Sequence, residues 1–171
     1  LELNALIQLV RKKMKDVFNS DITYLAILDE ETNVINFVYQ DGDEMPPMQL
    51  GEGLTSRIIQ SGEPLLINRD TDIMAEYNKH GIKQTGKQAI SYLGVPIPVE
   101  DKIIGVLSVQ STKQASRFTQ EDKKLLTTIA INVGVALHNA DLYEQAREAK
   151  ARAEDANEAK SAFLSTVSHE L

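Results

Sequence analysis

A histidine followed directly by a glutamate, His169 and Glu170, is the pair in this chain best suited to chemistry. A neutral imidazole nitrogen is a good nucleophile near pH 7, and an adjacent carboxylate can fix its tautomer or take its proton. The pair lies in FLSTVSHEL, residues 163–171, at the end of the chain. These residue types predict a histidine that reacts as a nucleophile; a plain polar residue at a helix end is the alternative.

Other reactive combinations are few. The chain has no cysteine, which excludes disulfides, thiolate nucleophiles and thioether-linked cofactors such as covalently attached bilins. His80, His138 and His169 lie far apart in sequence, without partners at metal-ligand spacing, so we predict no metal site. Asp70 and Asp72 could bind a cation, but capping of a helix explains them more simply. Without paired carboxylates or a phosphate-binding loop, a self-contained enzyme has no support.

The bulk composition narrows the class of protein. The formal net charge of −7 provides no basic stripe of the kind that nucleic acids need, so we predict no nucleic-acid partner. No apolar run approaches the roughly 20 residues of a membrane span, and no signal peptide opens the chain. We therefore expect a cytoplasmic domain without membrane contact of its own, whereas membrane anchoring of a parent protein upstream stays open.

Apolar periodicity and turn residues divide residues 1–142 into helices and strands. The predicted helices span residues 2–17, 53–62 and 69–81, and a fourth begins at Thr119. The predicted strands span residues 22–29, 34–40, 64–68, 89–100 and 102–112. This order predicts an α+β domain, an antiparallel five- to six-stranded sheet with helices on its faces.

Particular residues are expected to end or bend these elements. Gly62 is predicted to end the second helix, and Asp122 lies at the capping-box spacing from Thr119. Gly105, inside a strand, predicts a bulge or a close approach of another backbone.

One long helix is predicted from Thr119 to Leu171, because no proline and only Gly134 interrupt it. Beyond the domain, alternating steps of four and three residues from Leu142 reach Ala146, Ala149, Ala153, Ala156, Lys160, Phe163 and Val167, all of them small or apolar except Lys160. This narrow seam predicts a parallel coiled coil between two copies of the chain, with residues 143–160 as a signalling helix and a homodimer as the assembly. A solvated single helix held by pairs such as Glu148 and Arg152 is the alternative.

Three stretches carry a resemblance to the GAF domain family of small-molecule sensors. They are GEGLTSRIIQSGEPLLIN (51–68), SYLGVPIPVEDKIIGVLSVQS (91–111) and FTQEDKKLLTTIAINVGVAL (118–137). The resemblance covers residues 2–142 and implies a GAF-like antiparallel sheet followed by a long C-terminal signalling helix.

A second, shorter resemblance concerns AKSAFLSTVSHEL, residues 159–171, which is similar to the H-box of sensor histidine kinases. Phe163, Leu164, Ser168, His169 and Glu170 match that motif, as does the final leucine. The resemblance implies that residues 161–171 begin a phosphoacceptor domain, in which His169 accepts the phosphoryl group of ATP. It also implies that Glu170 orients or activates His169. The ATP-binding catalytic domain is missing from the chain, so we expect no kinase activity from the chain itself.

GAF domains bind ligands between the sheet and the segment that crosses it, which corresponds here to residues 70–88 above the strand at 89–97. The resemblance implies ligand contacts at Ile73, Met74, Tyr77, His80, Ser91 and Leu93. Three lysines, Lys79, Lys83 and Lys87, could add positive charge near an anion. The alternative is that the apolar members are core residues and that the lysines are solvated.

No cofactor is evident from the residues. Non-covalent haem through His80 is weakly supported, and the cyclic-nucleotide signature of the family is incomplete, because Glu121 and Asp122 follow Phe118 in reversed order. The interpretation is therefore a sensory GAF domain of a two-component histidine kinase, working with a response regulator and possible small-molecule ligand. The alternative is a ligand-free GAF module that serves as a dimerisation scaffold.

Overall fold

A computed structural model describes residues 3–79 and 87–170 of the chain. Its helices are α1 (Leu3–Phe18), α2 (Gly53–Ser61), α3 (Asp70–Lys79) and α4 (Gln120–Glu170). Its strands are β1 (Ile22–Asp29), β2 (Val34–Asp41), β3 (Met48–Gln49), β4 (Leu65–Ile67), β5 (Ser91–Val99) and β6 (Lys102–Ser111). The predicted end of α3 at residue 81 lies outside the described residues.

The six strands form one antiparallel sheet in the order β3-β2-β1-β6-β5-β4. The predicted fold class, a GAF-like antiparallel sheet with helices and a long C-terminal helix, is confirmed. The two-residue strand β3 was not predicted, because its residues lie in a segment with two prolines and no alternating pattern.

The two faces of the sheet have different covers. A hydrophobic core on one face joins residues of α2 and α3, such as Ile58 and Ile73, to Tyr24, Tyr92 and Val106 of the central strands. On the other side, α1 buries residues at helical spacing, namely Leu6, Val10, Met14 and Phe18. Part of α4 buries Leu126, Ile129, Ala130, Val133 and Gly134. Each helix thus presents one apolar stripe to the sheet.

The predicted punctuation of the elements is confirmed at three places. Gly62 ends α2 in the left-handed region, with φ of 68°, and its N–H donates to the Ile58 carbonyl at 2.9 Å. The Thr119 N–H donates to Asp122 Oδ2 at 2.8 Å, and the Asp122 N–H donates to Thr119 Oγ1 at 3.1 Å. A side chain at Gly105 would approach the Ala26 carbonyl oxygen to 2.1 Å, which only glycine avoids.

The chain divides into two compact units, residues 1–136 and residues 137–171, and α4 contributes to both. The first unit contains the sheet and its covering helices. The second consists of the remainder of α4, whose described side chains are mostly exposed.

Among the described residues, one helix passes a length and composition test for a membrane span. An 18-residue window of α4 has a mean hydropathy of 1.2, and 28% of it is buried. This is weak evidence for a span, because helices that pack against the core of a globular domain have similar composition. In α4 the apolar stretch includes Leu126, Ile129 and Val133, which are buried within the first unit.

Candidate functional site

A cavity of about 40 Å³ lies on the α2–α3 side of the sheet. Its walls come from β1, β5, β6, α2, α3 and the segment before β3. The lining residues are Ile22, Tyr24, Asp43, Met45, Met48, Gly53, Leu54, Thr55, Ile73, Tyr77, Lys87, Ala89, Tyr92 and Gln110. Apolar side chains thus share the cavity with several hydroxyl groups.

Three of these hydroxyl groups form a connected cluster. The Tyr24 hydroxyl lies 2.8 Å from Thr55 Oγ1 and 2.8 Å from the Tyr92 hydroxyl, and all three residues are buried. The ring of Tyr24 also packs edge-on against Phe37, with 5.2 Å between the ring centroids. Hydrogen bonds and an aromatic contact therefore fix the position of Tyr24 at the centre of the cluster.

The phenols of this region are held in the neutral state. Burial raises the pKa of Tyr24, and burial together with the neighbouring Tyr24 raises the pKa of Tyr92 well above its ordinary value. Burial, with a smaller effect of Tyr24, raises the pKa of Tyr77 to about 12. At neutral pH each phenol therefore carries its proton and can donate one hydrogen bond.

Ser108 adds a further buried hydroxyl beside the cluster. It is fully buried, and within the described part of the chain its Oγ has no hydrogen-bond partner. Its hydroxyl is nevertheless close enough to Tyr24 and Tyr92 to lower their pKa values slightly against the dominant effect of burial. Ser108 therefore lies near the phenols without a hydrogen bond to them.

The register of the sheet explains why these side chains meet. Tyr24 of β1 and Gly94 of β5 both pair with Ser108 of β6, and Tyr92 pairs with Gln110. A Cβ atom at Gly94 would lie 2.7 Å from the Tyr92 hydroxyl, so glycine leaves the space that this phenol occupies. A glycine inside a strand thus permits the close approach that builds the cluster.

Asp43 and Lys87, which have opposite formal charges, both line one side of the cavity. The Lys87 N–H donates to Asp43 Oδ2 at 2.5 Å, and its ammonium donates to the Gly42 carbonyl at 2.7 Å. The segment that precedes β5 is thereby tied to the segment that follows β2. Since Lys87 and Asp43 carry opposite formal charges, this described part of the wall is neutral overall.

Helix α3 covers the cavity and is held there by apolar packing and by an ion pair. Ile73 is buried against the sheet side, and Glu76 forms an ion pair with Arg57 of α2. Tyr77, one turn after Ile73, lines the cavity. No described side chain is a hydrogen-bond partner of the Tyr77 hydroxyl.

The structure separates the residues predicted to contact a ligand. Ile73 and Tyr77 line the cavity, whereas Met74 is 37% exposed and does not. Ser91 and Leu93 are buried on the opposite face of β5 from Tyr92. The prediction that Ser91 and Leu93 face the ligand is therefore corrected: the face of β5 that carries Tyr92, with the even-numbered residues, lies at the cavity.

The other predicted contacts fall elsewhere. The Ser91 hydroxyl donates to the Gln114 carbonyl at 2.8 Å and accepts from the Arg117 N–H at 3.2 Å, which is a structural role. Lys87 lines the cavity, and Lys79 is exposed. His80 and Lys83 lie outside the described residues.

Sequence reasoning missed Tyr24, Thr55 and Tyr92. The available signal was a hydroxyl-bearing aromatic residue in each of two strands, together with Gly94 two residues after Tyr92. This signal identifies the face of β5 at the cavity, because a glycine in a strand leaves room for a large neighbouring side chain, here that of Tyr92.

The proposed nucleophile lies on the last part of α4. His169 and Glu170 are both exposed helical residues, and Phe163 and Leu164 are 66% and 53% exposed. Consecutive helical side chains point in different directions, and no hydrogen bond joins His169 to Glu170 in the described chain. Among the described residues, no group of three or more His, Cys, Asp or Glu could hold a metal ion.

Comparison with known families gives one match, the GAF domain, whose model covers residues 2–137. The formate hydrogenlyase transcriptional activator of Salmonella typhimurium is 27% identical, over 100% of this chain and 26% of that protein. The circadian input-output histidine kinase CikA of Synechococcus elongatus is 30% identical, over 66% of this chain and 17% of that protein. The chain thus spans about a quarter of the curated relatives that it matches over its full length.

Solved structures show the same fold. The GAF domain of a phosphoenolpyruvate-protein phosphotransferase from Coxiella burnetii superimposes with a TM-score of 0.70 at 19% identity, over 83% of this chain and 85% of that one. The second GAF domain of DevS from Mycobacterium smegmatis gives a TM-score of 0.64 at 16% identity, over 84% of this chain and 99% of that one.

Proposed function

The chain belongs to the GAF domain family, and from this premise we propose that it is the sensory domain of a cytoplasmic two-component histidine kinase. The observation that carries the proposal is the FLSTVSHEL sequence, whose residues 163–170 lie on exposed turns of α4, a helix that begins beside the sheet. Relatives among histidine kinases, including CikA, support the same context.

The proposed reaction occurs at the exposed imidazole of His169. Its neutral nitrogen attacks the γ-phosphorus of ATP held by the catalytic domain of the parent protein, the bond to the β-phosphate oxygen breaks, and ADP leaves. Glu170 takes or orients the imidazole proton. Because adjacent helical side chains diverge, Glu170 acts only after a rotamer change or through the docked catalytic domain. The phosphoryl group then passes to a response regulator.

The proposed relay depends on a homodimer formed through the terminal helices. Leu142, Phe163 and Val167 of the heptad seam are 48%, 66% and 37% exposed, and a parallel partner helix would cover them. Alanine fills most other seam positions, so the seam is weak and different tilts or registers lie close in free energy. A change at the sheet then alters the tilt or register of the helix pair over residues 142–168 and repositions His169.

The test is phosphorylation of the full-length parent protein by radiolabelled ATP. We expect acid-labile, alkali-stable label in the natural protein and at least a hundredfold less in His169→Gln. The matched control is His138→Gln, a histidine on the same helix outside the H-box, which is expected to keep its label. Equal labelling of both variants would refute the assigned phosphoacceptor.

A second candidate is a regulatory domain of a transcriptional activator. The activators from Salmonella typhimurium and Escherichia coli align over the whole chain, including the segment with His169, at 27% and 28% identity. In that case the full-length protein would take no label from ATP, and His169→Gln would leave its activity unchanged. The same experiment therefore separates the two candidates.

A further inference from the structure

The hydroxyl groups around the cavity have more protons than partners. Tyr24, Thr55 and Tyr92 carry three hydroxyl protons but share two hydrogen bonds, each of which uses one proton. Whichever way the bonds are oriented, one proton of the cluster is left to donate. Ser108, another buried hydroxyl nearby, forms no hydrogen bond within the described chain that would take up this proton.

Tyr77 supplies a second unused donor. Tyr77 lines the same cavity, and no hydrogen bond to its hydroxyl occurs within the described parts of the chain. Its raised pKa, about 12, keeps the proton in place at neutral pH. Two donors thus converge on one cavity. An acceptor stabilises such donors, so a guest that suits this cavity carries an acceptor atom.

The volume limits the size of that acceptor. A water molecule needs roughly 10–15 Å³ of such space, so a cavity of about 40 Å³ holds about three water-sized groups. A cyclic nucleotide or a haem is several times too large for it. With modest movement of side chains, the cavity accepts a molecule of about three to five non-hydrogen atoms.

The charges limit its class. Tyr24, Thr55 and Tyr92 are buried and uncharged, and the formal charge of Lys87 is offset by that of Asp43 in the same lining. The ammonium of Lys87 already donates to the Gly42 carbonyl. The burial that holds the phenols in their neutral state acts equally against an ionic guest, because an unpaired buried charge is strongly unfavourable.

We propose that the cavity binds a small uncharged carbonyl compound, whose oxygen accepts hydrogen bonds from Tyr77 and from the Tyr24–Thr55–Tyr92 cluster. The apolar end of the guest faces Ile73 and Ala89, which line the same space. This inference rests on the proposed sensory role, and it gives the class of molecule that the domain detects.

The test is ligand-observed and ¹H–¹⁵N NMR titration of the 171-residue chain with three probes of equal size. Acetamide and acetone are neutral, and acetate is the matched anion. Four non-hydrogen atoms limit the affinity to about 40 µM at best, so titration extends to about 50 mM. We expect acetamide and acetone to compete for one site beside Ile73 and Ala89. Acetate is expected to bind at least about fivefold more weakly.

Two variants locate the site and one controls for tyrosine loss. Tyr77→Phe removes one donor and keeps the ring, and is expected to weaken acetamide about fivefold to tenfold. Ala89→Val fills the cavity and is expected to abolish binding. Tyr143→Phe, at a tyrosine that is 71% exposed on α4, is expected to change nothing.

Three outcomes would overturn the inference. Tighter binding of acetate than of acetamide would identify an anion site. Unchanged affinity in Tyr77→Phe and Ala89→Val would place the probes elsewhere. No response to any probe would mean that the cavity holds only ordered water. Because the titration needs no phosphorylation, binding without label at His169 would remove the kinase role alone, whereas label without binding would remove this inference alone.

Discussion

At the scale of single residues, Asp21 shows how one carboxylate joins the start of β1 to the end of β6. Its Oδ2 accepts hydrogen bonds from the Thr112 N–H at 2.8 Å, the Thr112 hydroxyl at 3.1 Å and the Ser111 hydroxyl at 3.3 Å. Lys113 lies 3.9 Å from its other oxygen. Partial burial alone would raise the pKa of Asp21, but these donors outweigh it and lower the pKa.

We expect Asp21→Asn to lower the free energy of unfolding by about 1–2 kcal/mol at pH 7, because charge-assisted hydrogen bonds are lost. The folded-state pKa is lowered, so the carboxylate stabilises the fold above its ordinary pKa of 3.8, and this contribution disappears as the pH falls through the lowered value. Urea unfolding at several pH values measures it.

The difference between the two proteins should be full above about pH 5 and should shrink below about pH 4. Asp16→Asn is the control, since it removes the same charge from an exposed position of α1. A difference of constant size down to pH 3 would contradict the assigned role of the charge.

At the scale of elements, the sequence predicted the regular parts of the fold better than the details of the site. The sequence located the hairpin of β1 and β2 within one residue, because β-branched and aromatic residues fill both strands on either side of the turn-like residues 30–33. The face of β5 was mispredicted, because every residue from Ser91 to Ile97 is buried and alternation is absent. Tyr92 and the space that Gly94 leaves for its hydroxyl identify the face of β5 that lines the cavity.

Gly134 is the residue through which α4 approaches the β5–β6 hairpin. A Cβ atom there would lie 2.2 Å from the Pro98 carbonyl oxygen, which is backbone and has little freedom to move. We expect Gly134→Ala to destabilise the domain by about 1–3 kcal/mol through overpacking, although alanine favours a helix by about 1 kcal/mol. Thermal and urea unfolding measure it.

Thr128→Ala is the matched control in the same helix. Thr128 is exposed, and in the described chain its side chain makes a single hydrogen bond, from the hydroxyl to the Lys124 carbonyl. It is expected to be neutral or stabilising by up to about 0.5 kcal/mol. Stabilisation by Gly134→Ala would mean that helix propensity outweighs the close contact.

The ion pair between Arg57 and Glu76 holds α3 against α2 beside the cavity. We expect Arg57→Ala to increase amide hydrogen exchange in residues 70–79 several-fold, with a change in the melting temperature of only about 2–3 °C, because local opening needs less free energy than global unfolding. Arg147→Ala, which breaks the exposed pair with Glu144, is the control. Unchanged exchange in α3 would show that apolar contacts alone hold the helix.

At the scale of the whole molecule, the described chain has two units with different sources of stability. The first, residues 1–136, contains the sheet and the buried core. The described side chains of the second are mostly exposed, so a partner chain is its proposed support. The sequence predicted this change of character near Leu142 from the loss of large apolar residues, but exposure along one helix does not reveal the partner.

We expect a shortened chain ending at residue 142 to unfold cooperatively, with a melting temperature within about 3 °C of the natural chain. We also expect it to be largely monomeric at micromolar concentration, where we expect the natural chain to be dimeric. Calorimetry and sedimentation velocity measure the two properties. A dimer of undiminished strength would place the interface in the first unit, where α1 and α4 form an apolar groove of about 270 Å³.

The cluster of phenols also makes the protein its own optical probe. The chain has no tryptophan and five tyrosines, of which Tyr24, Tyr77 and Tyr92 line the cavity. Near-ultraviolet absorbance and fluorescence therefore arise mainly from tyrosine, since phenylalanine absorbs and emits only weakly, and more than half of the tyrosines surround one small space. A guest that accepts a hydrogen bond from a phenol shifts its absorption and emission. Occupancy of the cavity should thus be visible in real time in the unlabelled protein, with Tyr77→Phe as the variant in which the signal is reduced.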